Sequence, residues 1–193
     1  AAVLIGSYLA GAIPFGVLIA RGFYHVDIRT MGSRNTGATN VWRSLGPRPG
    51  ATTLALDALK GAVGVAAARH WFPASLAMPV AAGVAAIVGH NWSVFLRGSG
   101  GKGVATSAGV FLALMPVQTL VAIAVFLGFF LTTGHVSVGS MAAATALAVA
   151  SFVVSTPWPL RLLVVVAAAM VLLKHIPNMR RLSRGEEPKV KFR

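Results

Sequence analysis

The sequence predicts an all-α, polytopic membrane protein with seven transmembrane helices, its N-terminus outside and its C-terminus in the cytoplasm. Three observations carry this. Of 193 residues, 56% are hydrophobic and only 11% are charged. The apolar residues fall in runs of the roughly 20 residues that cross a hydrocarbon core, not in the stripes of a surface helix. The basic residues, finally, collect on alternate loops. Residues 1–193 read as a single integral-membrane domain.

Residues 1–20 form the first span, interrupted by Gly11, Pro14 and Gly16, which membrane helices tolerate where neighbours pack closely. The segment lacks a basic leading region and a credible cleavage site, which predicts a retained span and not a signal peptide. Residues 21–50 are a polar, glycine-bearing loop with five arginines. The second span, 51–68, carries Asp57 and Lys60 at i and i+3 on one helical face, which predicts a mutual ion pair near the headgroups rather than a site role. A turn at 69–75 leads to the third span, 76–92. Residues 104–133 are too long for one upright helix, and Pro116 divides them into a short helix, 104–115, and a full one, 117–133. After a polar link at 134–140 come the sixth helix, 141–155 with some of that link, and the seventh, 157–173. The tail from 174 is basic.

Charge tests the count. With seven crossings, the segments after helices one, three, five and seven share a side, and of 17 Lys and Arg only Arg69 and Arg161 fall on the other. That is a strong positive-inside bias, which puts the glycine-rich loops and the tail in the cytoplasm. Reading 104–133 as one helix would split the bias. The same cation excess, +13 overall, would suggest nucleic acid in a soluble chain, but here it follows from topology and from anionic lipids or substrates. No nucleic-acid partner is expected. The absence of cysteine excludes thiol chemistry, and four acids, two of them in the tail, cannot build a carboxylate metal cage. Neither a metal nor a cofactor is expected.

The most informative stretch is 89–106. It holds Gly98, Gly100, Gly101 and Gly103 around Lys102 and then becomes helical. Glycines let backbone N–H groups converge on an anion, a helix N-terminus adds donors and partial positive charge, and lysine adds a full one. Gly98-x-Gly100-x-x-Gly103 matches the dinucleotide fingerprint, but an apolar helix precedes it and no Asp or Glu lies between 58 and 185 to bind a ribose. A phosphate-binding loop of the Walker type would need glycine at Leu96 and a hydroxyl at Gly103. A second run, Gly32-Ser33-Arg34-Asn35-Thr36-Gly37-Ala38-Thr39-Asn40 with Arg43 after it, can wrap amides and hydroxyls around phosphate oxygens. Ser137, Ser140 and His135 sit on the third polar segment, and His175, Asn178, Arg180 and Arg181 on the tail. Lys189, Lys191 and Arg193 read as headgroup anchors, and Trp42, Trp92 and Trp158 as interface residues. The Ala and Gly spacing of helices two, three and six reads as helix contact.

Taken together, these segments resemble the bacterial membrane glycerol-3-phosphate acyltransferases that use acyl phosphate as donor. The resemblance spans essentially the whole chain. Its specific parts are Gly32-Ser33-x-Asn35-x-Gly37-x-Thr39-Asn40, Gly89-His90, Gly100-Gly101-Lys102-Gly103-Val104-Ala105-Thr106 and Ser137-Val138-x-Ser140. In the tail they are His175-x-x-Asn178-x-x-Arg181 with Glu186 or Glu187 at the acidic position. Arg34 stands where the family commonly has glycine.

The resemblance implies acyl transfer from acyl phosphate to the 1-hydroxyl of glycerol 3-phosphate at the cytoplasmic face of a bacterial inner membrane, giving lysophosphatidic acid and phosphate. It also implies a soluble acyl-phosphate synthase upstream as a partner, besides the bilayer. Carried over from it, Ser33, Arg43, Lys102, Ser140, His175 and Asn178 bind glycerol 3-phosphate, the last four of the set from Lys102 onward being catalytic. Asn35, Gly37, Thr39, Asn40, Gly100 and Gly101 bind acyl phosphate. His90 is either a base or a structural histidine locking the glycine loop. Two phosphate dianions repel one another in a partly desolvated site, so a cation surplus suits this chemistry. The rival is a transporter of a phosphorylated solute, whose broken helices would also aim N-termini at an anion.

Overall fold

The computed structural model describes residues 1–190, so Lys191 and Arg193 lie outside the described residues. The described residues contain α- and 3-10 helices and no strand. They divide into two compact units, residues 1–114 and 115–190 of the described chain.

In the first unit the opening apolar run is two helices. Helix α1 (Ala2–Ala12) and α2 (Phe15–Tyr24) meet at a bend of 45°. Pro14, at the bend, has no N–H to continue the ladder. The loop expected at 21–50 is more ordered than its composition suggests. Asp27 caps a 3-10 turn by accepting from the Arg29 amide, and α3 (Ala38–Leu45) follows Gly37. Hydrogen bonds from Arg29 and then Arg21 hold the Asp27 carboxyl well below the usual range. Helix α4 (Pro47–Trp71) begins four residues earlier than expected, with proline in its first turn where an N–H would be unpaired. Next come α5 (Ala77–Asn91) and α6 (Val104–Leu114).

Small residues set these contacts, as the Ala and Gly spacing implies. Helix α1 packs on α5 where Gly89 lies against the Tyr8 backbone, and α4 packs on α6 where Gly109 lies against the Ala58 backbone. In membranes, where apolar burial drives little association, such backbone approach is what holds helices together. The Trp42 side chain packs over Gly50, joining α3 to α4.

The second unit comprises α7 (Pro116–Thr133), α8 (Val136–Val153), α9 (Trp158–Lys174) and α10 (Ile176–Ser183). Pro116 starts α7 as the division of residues 104–133 requires, and Gly134 ends it in the left-handed region. Helix α8 begins at Val136 and so takes in most of the expected link, with Ser137 and Ser140 on its first turns. Helices α9 and α10 are bent by 49° at His175.

Among the described residues, four helices are long and apolar enough to cross a membrane, or up to six spans if each bent pair is one. Helix α6, with 11 residues, reaches only about 17 Å at ~1.5 Å per residue, roughly half of a hydrocarbon core.

Candidate functional site

The first glycine-rich loop is built around Asn40. Its buried side chain donates from Nδ2 to the carbonyls of Ile28, Met31 and Asn35 at 3.1, 3.0 and 2.9 Å, and its Oδ1 accepts from the Ser33 amide at 2.9 Å. Asn40 therefore holds four backbone groups of its own loop. Asn35 closes a smaller turn, its Oδ1 accepting from the Gly37 amide at 2.9 Å. Arg34, in the family's glycine position, adopts φ +59°, the left-handed conformation that glycine takes without strain. The charged side chain leaves the backbone path in the glycine-type region, and Ser33 stays exposed at its tip. Thr39 and Arg43 are half-buried on α3.

The second loop folds back on the end of α5. The Gly101 amide donates to the His90 carbonyl at 3.1 Å, so this particular N–H points inward. A side chain at Gly100 would meet the His90 and Asn91 backbone, and one at Gly101 would meet His90 Nε2. His90 thus lies directly beneath both glycines. Ser93 Oγ donates to the Ala12 carbonyl at 2.6 Å and Tyr8 Oη to the Trp92 carbonyl at 3.0 Å, tying the loop to α1. Lys102 is half-buried, and Gly103 accepts from the Ser107 amide to start α6.

The two loops meet at one cleft within this unit. It is lined by Thr36 of the first loop, Gly100 of the second, Ile13 and Pro14 of the α1–α2 bend, and Asp57, Lys60 and His90. The expected ion pair forms, with Lys60 Nζ 2.7 Å from Asp57 Oδ1, but each side chain is only 3% exposed and both face this cleft. Their signal in the sequence is the isolation of two charges within the apolar stretch 51–68, which in a membrane marks function by default.

In the second unit the sequence-predicted residues gather about one carboxylate. Glu187 Oε1 accepts from Ser137 Oγ at 2.9 Å and Asn178 Nδ2 at 2.6 Å, while Oε2 accepts from Arg181 Nε at 2.7 Å. Glu186 is exposed, so Glu187 is the residue at the acidic position. Burial raises its carboxyl pKa, but the donors Asn178, Arg181 and Ser137 outweigh this and hold it below the usual range. His175 Nδ1 lies 2.7 Å from the Val171 carbonyl, which can only accept; the neutral ring therefore keeps its lone pair at Nε2. Ser140 is buried, its hydroxyl donating to the Val136 carbonyl one turn back at 2.8 Å. Lys189 covers Gly134, which gives it a packing role besides that of a basic anchor.

Short, broken apolar helices joined by glycine-rich anion loops, with an excess of cations, define a helical membrane protein that handles phosphorylated molecules at helix ends. The glycerol-3-phosphate acyltransferase family model matches residues 1–185. Relatives named glycerol-3-phosphate acyltransferase include one from Geotalea daltonii, 44% identical over 96% of this chain and 94% of its own length. One from Moorella thermoacetica, named glycerol-3-phosphate acyltransferase 2, is 43% identical over 97% and 95%. Crystal structures of PlsY (YgiH), an integral membrane glycerol 3-phosphate acyltransferase, superpose with a TM-score of 0.93 and 36% identity in its glycerol 3-phosphate form, and 0.89 and 35% in its lysophosphatidic acid form. Each match covers 98% of this chain and 94% of that one. The chain belongs to the glycerol-3-phosphate acyltransferase family and is an integral membrane protein of that fold.

Proposed function

We propose that this chain transfers a fatty acyl group from acyl phosphate to the 1-hydroxyl of glycerol 3-phosphate, giving lysophosphatidic acid and inorganic phosphate. The observation that carries the reading is the meeting of Thr36 and Gly100, one from each glycine-rich loop, at a single cleft. Asn35, Gly37, Thr39, Gly100 and Gly101 are assigned to the acyl phosphate, with Asn40 shaping their loop. In the first unit Ser33, Arg43 and Lys102 are assigned to glycerol 3-phosphate, with Lys102 catalytic. In the second unit Ser140, His175 and Asn178 carry the same two assignments from the family resemblance.

In the reaction the acceptor oxygen bonds to the acyl carbon, the carbon–oxygen bond to phosphate breaks, and phosphate leaves without needing a proton. An acyl phosphate is already activated, so positioning and charge neutralisation supply most of the rate. The hydroxyl proton passes to the acceptor's own phosphate; His175, with its lone pair at Nε2, is the competing base.

The chain crosses a bacterial inner membrane seven times as one domain, with α6 as a short crossing. The charge bias supports this, since Arg69 and Arg161 alone fall outside the cytoplasmic side. A soluble acyl-phosphate synthase would supply the donor. Purified protein is given glycerol 3-phosphate with palmitoyl phosphate or palmitoyl coenzyme A. One lysophosphatidic acid per phosphate from the acyl phosphate alone, lost in Lys102→Ala, supports the reading. No turnover with either donor, while glycerol 3-phosphate crosses liposomes carrying the protein, replaces it with the transporter.

A further inference from the structure

Asp57 and Lys60 have no role in the chemistry above, yet both charges are held away from water. Burying an ion pair costs several kcal/mol per ion before its partners repay it, so the pair is a poor way to gain stability alone. What it touches explains it better. Lys60 Nζ, besides meeting Asp57, donates to the Ile13 carbonyl at 2.7 Å and lies 5.6 Å from the Phe15 ring centre. Ile13 is at the bend that sets α2, and α2 bears on the first glycine-rich loop where Gly16 lies against the Thr36 carbonyl. On its other side Asp57 Oδ1 stands 3.8 Å from His90 Nδ1, and the opposite nitrogen of that ring lies against Gly101 of the second loop. One ion pair is thus connected to both loops that line the cleft, through His90 on one side and through Ile13 and then Gly16 of α2 on the other.

We propose that Asp57 and Lys60 are positioning residues that set the separation of the two glycine-rich loops, Asp57 through His90 and Lys60 through the Ile13 carbonyl, and so define the seat of the acyl phosphate. This rests on the acyltransferase reading. Neither residue acts on the substrate. The pair fixes where the loop backbones stand, much as an outer layer of hydrogen bonds fixes a metal ligand.

Asp57→Asn alone would leave a lysine buried without its counter-charge, so the informative variant is Asp57→Asn/Lys60→Met, which removes both charges. Size-exclusion profile and thermal melting report its fold, and kinetics report its site. The expected result is a KM for palmitoyl phosphate raised about 10- to 100-fold, with a smaller rise in KM for glycerol 3-phosphate because Ser33 and Lys102 stand on the same two loops. A second measurement uses the charge-free variant Asp57→Asn/Lys60→Met, His90→Gln and their combination. If Asp57 acts through His90, the combination loses less than the sum of the two losses. Wild type, assayed alongside, separates the two readings. An inactive wild type sinks the acyltransferase reading, whereas an active wild type with unchanged donor KM in the charge-free variant, or additive losses in the cycle, overturns the positioning role.

Discussion

Gly100→Ala adds one methyl group to the second loop, and the structure gives that methyl no room. Its carbon would fall against the His90 carbonyl oxygen and 2.9 Å from the carbonyl carbon and oxygen of Asn91, where ordinary contact begins at 3.4 Å. These are backbone atoms, so no rotamer change relieves them. The loop must withdraw by at least the 0.5 Å that separates 2.9 from 3.4, and by more to clear His90. A displacement on the order of 1 Å in a positioning element lowers a rate ~100-fold, because catalysis here depends on placement more than on acid–base chemistry. The assay is steady-state release of phosphate from palmitoyl phosphate in the presence of glycerol 3-phosphate, with kcat and KM resolved for each substrate. Gly22→Ala, at a helical glycine with open space around it, is the control and should match wild type. The reasoning fails if Gly100→Ala keeps kcat/KM within about threefold of wild type, less than ~0.7 kcal/mol of transition-state stabilisation.

Asn40→Ala removes the partner of the Ser33 amide and the Asn35 carbonyl and a second donor from the Ile28 and Met31 carbonyls, which keep the Met31 and Arg34 amides, and should cost about 2 kcal/mol of stability in a thermal melt together with most of the activity. Arg34→Gly relieves a left-handed arginine; activity should be kept and stability should rise by about 1 kcal/mol or less, the gain being limited by glycine's extra entropy when unfolded. Glu187→Gln sets an amide N–H against either Arg181 or the pair Ser137 and Asn178, all donors, and should cost about 2 kcal/mol. Because the folded carboxyl is depressed from 4.5, its contribution is present above that pH and lost as pH falls through the lower folded value. Melting temperature measured down an acid series should therefore fall in wild type, and by less in Glu187→Gln.

The membrane class, the division at Pro116, the two glycine-rich loops and the family were all legible along the chain, because hydropathy runs, glycine clusters and motif spacing are local properties. The Asp57–Lys60 pair was legible too, since i and i+3 meet on any helix. What the pair supports was not: its contacts depend on Ile13, 47 residues away, and on His90 at the end of another helix. The choice of Glu187 over Glu186 was equally hidden, since it is made by Ser137, 50 residues distant, whose hydroxyl only one of the two carboxylates reaches. Asn40 looked like a ligand by composition and proved to be the hub of its loop, because only the folded turn brings three carbonyls within reach of one amide. The sequence by itself determined where the chain is apolar and where its glycine-rich loops fall. The tertiary structure decided which polar groups are spent on holding those loops in shape, because burial makes an unpaired donor, acceptor or charge costly and packing alone selects the partner.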